Sequence, residues 1–193
     1  MSVGFGEDAT RQVQKGDTPD LNDGLLSRVV PTSENINRGQ ACVIIAGDVT
    51  VATAALVLDG YTPFVPIETV DNTTTGDLPI SGVGPTQRVA LGVITTSTIN
   101  PGDIVKVSDT QIVSEGGFVE LWSAGDTGAD DNRAKYARYL GREAALLVKS
   151  GPSDFIETLS PGIVPDQPIL GSEPNGTVGW FQLLDTQGGT DAT

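Results

Sequence analysis

The chain of 193 residues contains no histidine and only one cysteine, Cys42. The lack of histidine excludes the histidine-based serine and cysteine triads, the most common general base and the usual zinc ligands. One cysteine excludes an internal disulfide, and the apolar neighbours of Cys42 in ACVIIAG predict a buried small side chain rather than a nucleophile. Any enzyme built on this chain would have to use carboxylates, lysine, tyrosine or serine.

Basic residues are also scarce, because 11 Lys and Arg stand against 25 Asp and Glu, for a net charge of −14. Such a surface repels phosphate backbones and anionic lipids, so we expect no nucleic-acid partner and no membrane partner. No apolar run approaches the length that spans a bilayer, and the first residues lack an apolar signal core. These features predict a soluble protein made in a reducing cytoplasm.

Aromatic residues make up only 5% of the chain, whereas there are 24 glycines and 12 prolines. From about residue 35, short runs rich in Val, Ile and Thr alternate with glycine-containing turns, which is typical of strands. In RVALGVI the side chains of Val89, Leu91 and Val93 share one face at period two, which predicts a half-buried strand. Asn175-Gly176 lies between two apolar runs and predicts a hairpin. The expected fold class is all-β.

The composition changes along the chain and predicts three parts. Residues 1–34 are polar and rich in chain breakers, so they are assigned to an extended N-terminal arm, whose order the sequence leaves open. Residues 35–186 carry the apolar runs and form the β-rich domain. Residues 187–193 have no large apolar side chain and are predicted to be a disordered tail.

Residues 127–151 allow two interpretations. Their apolar spacing fits an amphipathic helix, but Gly141 would lie in its middle. Alternatively, RYLGREAALLVKSGPSDFIETL repeats the order of VALGVITTSTINPGDIVKV: a Leu-Gly pair, a variable stretch, Pro-x-Asp and a short apolar run. This second interpretation is preferred and predicts a repeated strand-loop-strand unit, with one short helix still allowed.

Candidate sites of catalysis and metal binding are weak. Glu120, Glu143 and Asp154 could serve in carboxylate chemistry, but nothing separates them from surface charges. An acidic loop lacks the ligand spacing of an EF-hand and is interpreted as a cap or a solvated loop; it contains Asp126, Asp130, Asp131 and Asn132. The sequence therefore predicts no catalytic residue, no cofactor and no metal.

The large aromatic residues are interpreted as structural. Trp122 and Trp180 are expected to pack in the core, although aromatic residues also mark interfaces. Phe64 is flanked by prolines, which predicts that its segment is an edge strand or a crossing loop rather than a strand paired on both sides.

The segment ALGVITTSTINPGDIVKV, preceded by NINRGQACVIIAGDVTV, resembles the small β-rich decoration (cement) proteins of tailed-bacteriophage capsids. The resemblance covers roughly residues 35–185 and consists of an opening apolar strand with a glycine turn, an LGV strand, a Gly-Asp turn and a VKV-type strand. It implies a β-barrel or β-tulip-like domain that trimerises on the outer capsid surface and binds neighbouring major capsid protein subunits. The same resemblance implies a virion location for a protein made in the host cytoplasm.

Two other classes of function remain open at this stage. A tail-fibre or cell-surface recognition module would share the β-rich, glycine-rich composition but would bind glycans or a receptor through exposed loops. A carboxylate-dependent hydrolase would need an Asp or Glu with a raised pKa in a cleft.

Overall fold

The computed structural model describes residues 13–18, 25–31, 34–72, 76–123, 134–143, 163–164 and 167–185. Within these ranges the chain is mainly β-structure and contains one short helix, which confirms the all-β prediction. The barrel prediction is also confirmed, but the strands close two barrels rather than one.

The first barrel is a ring of five strands, with a two-stranded sheet and a helix beside it. Helix α1 (Ala54–Leu58) begins where the side chain of Thr53 accepts a hydrogen bond from the backbone N–H of Leu56. The barrel strands are β1 (Leu26–Val30), β3 (Cys42–Ile45), β4 (Asp48–Val51), β5 (Thr62–Pro66) and β7 (Leu78–Val83), and the added sheet pairs β2 (Glu34–Ile36) with β6 (Val70–Asn72).

The second barrel follows directly along the chain. Its ring closes because β11 pairs with β9 as well as with β13. The barrel strands are β8 (Arg88–Val93), β9 (Ile104–Ser108), β10 (Phe118–Leu121), β11 (Ala137–Glu143) and β13 (Thr177–Leu183), and the short strand β12 (Ile163–Val164) pairs with β11.

Both barrels have the same topology. With the five barrel strands counted in chain order, each ring runs first, third, second, fourth, fifth and back to the first. The first strand is parallel to the third in both rings, and every other barrel pairing is antiparallel. The pairing of β2 with β6 has a counterpart in the bridge between Ile99 and Ile169. The chain is therefore a tandem repeat of one barrel.

The strand pairings also align the two copies in sequence. Val30 and Val93 end the first strand of each ring, and residues 26–45 then match residues 89–108 without a gap. Five of these twenty positions are identical: Val30 and Val93, Thr32 and Thr95, Ile36 and Ile99, Asn37 and Asn100, Gly39 and Gly102. Most positions differ, so the repeat is visible mainly through its topology.

The internal repeat predicted from the sequence was wrong in its alignment. VALGVITTSTINPGDIVKV covers the first two strands of the second barrel, whereas the Leu140-Gly141 pair lies in its fourth strand. The strand interpretation of this region is confirmed for residues 137–143, and the rest of the proposed second copy lies outside the described residues. In the part of the chain that the structure describes, the helix is Ala54–Leu58.

The Asn175-Gly176 hairpin prediction was also wrong. Gly176 has a φ of +90° and its N–H donates to the carbonyl of Val93, so a turn is present. However, β13 pairs with β8 and β11 instead of the preceding apolar run, from which Ile169 bridges to Ile99. The turn therefore ends a crossover and does not join two adjacent strands.

The prediction for the proline-flanked segment was wrong because β5 is paired on both sides. Its first half pairs with β3 and its second half pairs with β7. Pro66 has no N–H to donate, but its carbonyl accepts the N–H of Gly39 at 2.8 Å. Split pairing tolerates the prolines, and Phe64 is buried in the core of the first barrel.

One hydrophobic core joins the two barrels. It contains Val43, Val57 and Val65 from the first barrel together with Leu91 and Phe181 from the second. The buried hydroxyl of Tyr136 donates to the carbonyl of Cys42 at 2.8 Å and accepts the Cys42 N–H at 3.1 Å. Separating the barrels would expose apolar surface and break this bonded pair.

The first barrel strand lies within the range assigned to the arm. Leu26–Val30 forms β1, which pairs with β7 and β4 and closes the first ring. Residues 13–18, also within that range, cross the outer face of β8, where Val13 and Trp180 pack against Ala90. Because of this cover, Ala90 is buried together with Val89 and Leu91, and β8 is not half-buried as predicted.

Candidate binding surface where the barrels meet

The N-terminal segment at residues 13–18, here called the strap, is held by a glycine turn. Asp17 N–H donates to the Gln14 carbonyl, and Gly16 has a φ of +77°. Gly16 N–H donates to the Ala90 carbonyl at 2.8 Å, and Ala90 N–H donates to the Asp17 carbonyl at 2.9 Å. This is the bonding pattern of a G1 β-bulge, so the strap is added to β8 as a short extra strand.

The same turn occurs at two further glycines and, with Thr86 in the glycine position, at residues 84–87. At Gly39 and Gly102, which have φ values of +71° and +96°, the N–H donates to the carbonyl of Pro66 and of Tyr139, respectively. In each turn the backbone N–H of the first residue donates to a side-chain oxygen of the fourth residue. Gln14 donates to Asp17, Asn37 to Gln40, and Asn100 to Asp103. The strap therefore uses a docking unit that each barrel also contains.

Ion pairs link the strap to both barrels. Lys15 bonds Glu115 of the second barrel and lies 4.6 Å from the centre of the Phe118 ring. Asp17 bonds Arg38 of the first barrel. These pairs are partly exposed, and each contributes on the order of 0–1 kcal/mol.

Glu115 belongs to a loop that distinguishes the two copies. The turn between the second and third strands comprises residues 46–47 in the first barrel but residues 109–117 in the second. We call the longer one the tip loop. Extra residues in one copy of a repeat lie in surface loops, often on a binding face.

The end of the tip loop is strained and apolar. The backbone N–H and C=O of Ile112 exchange two hydrogen bonds of 2.9 Å with those of Glu115, which forces Val113 and Ser114 to φ values of +50° and +66°. A β-branched residue rarely adopts this conformation, and the cost is about 1–3 kcal/mol. The side chain of Val113 is 96% exposed, so no core packing offsets that strain.

The base of the tip loop is fixed to the first barrel. The side-chain amide of Gln40 donates to the Gly116 carbonyl at 3.1 Å, and Ala41 N–H donates to the Gly117 carbonyl at 2.8 Å. Asp109 accepts the N–H of Ala54 at the start of α1. The loop is thereby held at both ends, and Val113 is presented from a rigid support.

A cleft of about 530 Å³ lies beside the tip loop. Its lining includes the carboxamides of Asn35, Asn37, Gln40 and Gln111, and its carboxylate, Glu115, is paired with Lys15. This surface is nearly uncharged in a chain with a net charge of −14, and interface centres are typically depleted of charge. We call it the amide cleft.

A second cleft, of about 680 Å³, has Val13 and Val178 in its lining. Arg142 and Glu173 line this cleft and form an ion pair at 2.7 Å, so their charges compensate each other. Glu173 also accepts the N–H of Leu170, so its carboxylate fixes the local turn. This arrangement holds the loop before β13 in place.

The carboxylates considered for catalysis are not brought together in the described structure. Glu120 accepts a hydrogen bond from Ser108 Oγ at 2.7 Å and lies 3.5 Å from Lys106, in a surface pair between neighbouring strands. Asp154 and the side chain of Glu143 lie outside the described residues, as does the acidic loop with Asp126, Asp130, Asp131 and Asn132.

Cys42 and Trp180 are core residues, as predicted. Burial raises the pKa of the Cys42 thiol well above its ordinary value, so the reactive thiolate is disfavoured. Trp180 is 1% exposed and packs on Val13 and Ala90. Trp122 is only half-buried, and Lys135 lies 4.5 Å from the centre of its ring. The core prediction is thus confirmed for Trp180 and fails for Trp122.

Within the described part of the chain, no group of three or more metal-ligating side chains is placed to hold an ion. The same residues include no helix with the length and hydropathy needed to cross a bilayer.

The tip loop was not predicted from the sequence. Its residues carry no chemical motif, and the signal that marks them is the comparison between the two barrels, which depends on topology. A scan of protein-family models finds no match to this chain, and a search of curated proteins likewise finds none.

Proposed function

We propose that this chain is a structural virion protein that binds the outer surface of a phage capsid as a homotrimer and cements neighbouring major capsid protein subunits. The observation that carries the proposal is Val113, a fully presented apolar side chain on a rigid loop beside the uncharged amide cleft. The strained backbone at Val113 lowers the stability of the fold, and the exposed side chain gives no packing energy in return. This combination points to a binding role for the residue.

The composition of this surface favours a protein partner. An apolar side chain can enter a shallow socket, while the free groups of Asn37, Gln111 and Ser114 can bond the backbone of the bound segment. A chain that binds only the assembled shell stabilises that state by mass action. The net negative charge favours the exterior face over the DNA-filled interior.

The proposal predicts that Val113→Asn weakens binding to capsids stripped of this protein by at least tenfold. Asn accepts a positive φ more readily than Val, so the same change should raise the free energy of unfolding by about 1 kcal/mol. Leu170→Asn is the matched control, because Leu170 is 47% exposed and lies outside the amide cleft. Sedimentation with stripped capsids and thermal unfolding measure the two effects.

The number of copies per particle tests the wider proposal. Quantitative mass spectrometry of purified virions should give about one copy per major capsid protein if trimers occupy most threefold positions. A few per cent would favour a tail or fibre component, and glycan binding through the amide cleft would then be examined. Absence from the virion would reject the virion function.

A further inference from the structure

The edge of β8 shows how a glycine turn docks onto a barrel. The N–H and C=O of Ala90 point away from β13 and bond the strap at Asp17 and Gly16. This edge is available because β10 pairs with β8 only near Val93. The strap thus completes an edge that the ring itself leaves open.

The first barrel has the same edge at Ser27, which aligns with Ala90 in the repeat. Ser27 lies opposite Ser81 of β7, but Ser81 directs its own backbone groups elsewhere. Its N–H donates to Glu68, and its carbonyl accepts the Ile67 N–H at 3.0 Å. The N–H and C=O of Ser27 therefore point away from β7, as those of Ala90 point away from β13.

In the described structure no added strand covers this position. Ser27 is exposed, and its carbonyl accepts only a hydrogen bond of 2.8 Å from the guanidinium of Arg28. Strand β1 pairs with β4 at Val29, two residues after Ser27. We call the Ser27 N–H and C=O, together with Arg28, the β1 edge site.

The chain carries a second segment suited to such an edge. Residues 3–7 read Val-Gly-Phe-Gly-Glu, and residues 13–17 of the strap read Val-Gln-Lys-Gly-Asp. Both begin with valine and end, after two intervening residues, with glycine and an acidic residue. Glu7 and the following Asp8 are negative, whereas Arg28 forms no ion pair with the described residues. In the strap the corresponding acid, Asp17, bonds Arg38.

We infer that residues 3–8 of a second copy dock at the β1 edge site, with Gly6 and Glu7 in the positions that Gly16 and Asp17 occupy on β8. The choice of a second copy rests on the proposed function, in which copies associate. Repeated around a cyclic assembly, each copy gives its N-terminal segment to one neighbour and receives a segment from the other.

The test compares Ser27→Pro with Ser27→Ala in the full chain. Proline removes the N–H that the docked segment needs, and an edge strand tolerates it, whereas alanine keeps the N–H. Sedimentation equilibrium should show self-association weakened at least tenfold by Ser27→Pro and changed less than twofold by Ser27→Ala. Equal association of both variants would overturn the inference.

A charge exchange gives the same information if Ser27→Pro does not fold. Glu7→Lys with Asp8→Lys should weaken association at least fivefold, and Arg28→Glu should restore it when combined with that pair. Absence of rescue would count against the site.

Cross-linking tells which copy supplies the segment. A mixture of one protein carrying Phe5→Cys and another carrying Val29→Cys should form a mixed disulfide under mild oxidation. Val29 aligns with Gly92, which lies next to Lys15, the strap residue that corresponds to Phe5. A disulfide found only when both changes are in one chain would place the segment in its own barrel and overturn the choice of a second copy. Capsid binding by the Val113 variants is measured separately, so failure here leaves the proposed function to its own test.

Discussion

The hydroxyl group of Tyr136 joins the two barrels inside their buried interface. It bonds the N–H and C=O of Cys42 and also lies 3.0 Å from the carbonyl of Phe64. Burial is the largest cause that raises the pKa of this phenol well above its ordinary value of 10.0. One side chain thus ties the second barrel to two strands of the first.

Replacing this group should change both stability and its dependence on pH. Tyr136→Phe leaves the Cys42 N–H without its acceptor, so we expect the free energy of unfolding at pH 7 to fall by about 1–3 kcal/mol. The raised pKa means that the folded chain keeps a proton that the unfolded chain loses above about pH 10, so the contribution of Tyr136 decreases there.

The difference between the wild-type protein and Tyr136→Phe should therefore narrow as the pH rises above 10. Urea unfolding at pH 7, 9, 10 and 11 measures it. Burial also raises the pKa of the Cys42 thiol, and the charge of Cys42 is coupled to that of Tyr136. Both proteins therefore carry Cys42→Ala in this comparison, so that no thiol titrates. A constant difference across this range would contradict the assigned role of the phenol.

The three glycine turns are the elements that position the strap and open the second strand of each barrel. Gly39 and Gly102 are equivalent in the repeat, yet their surroundings differ. A Cβ atom on Gly39 would collide with Gly16 N and with Lys15, whereas a Cβ atom on Gly102 would meet no atom within 4 Å. The strap is the reason for this difference.

This contrast predicts unequal costs for the same substitution. Gly102→Ala should cost about 1–2 kcal/mol, because it bears only the penalty of the left-handed backbone conformation. Gly39→Ala should cost more, since it also displaces the strap. Thermal unfolding of both variants, in the full chain and after deletion of residues 1–18, checks this. Without the strap the two costs should become equal, and a persistent gap would show another cause.

The whole molecule depends on a core that neither barrel completes alone. Val43, Val57 and Val65 pack with Leu91 and Phe181 across the junction, and the tip loop bonds Gln40 and Ala41. Apolar burial at about 25 cal/mol per Å² makes such shared surface the main source of coupling. The two barrels should therefore unfold together despite their separate rings.

Calorimetry tests this coupling. We expect a single transition whose van't Hoff and calorimetric enthalpies agree. The isolated segment 25–84, which contains the first barrel, should not show a cooperative transition, because its junction face would be exposed to water. Two resolved transitions in the full chain, or a cooperatively folded segment 25–84, would contradict a shared core.

Local patterns in the sequence were sufficient for the fold class and for several turns. The alternation of Val, Ile and Thr with glycine turns predicted strands, including the strand that contains Val89, Leu91 and Val93. The glycines after Ala46 and at residue 102 do adopt left-handed conformations. These features depend on residues that are neighbours in the chain, so propensity and period are enough to find them.

Tertiary structure alone decided the number of barrels, the second buried face of β8 and the exposure of Val113. Each of these depends on partners distant in sequence: β1 with β7, the strap with Ala90, and the tip loop with Gln40. The repeat was not visible in the sequence because many different sequences supply the alternating apolar residues that a barrel core requires. Two copies of one barrel can therefore share few identical residues. Strand pairing and ring closure are properties of the folded chain, and they determined which residues became core and which became binding surface.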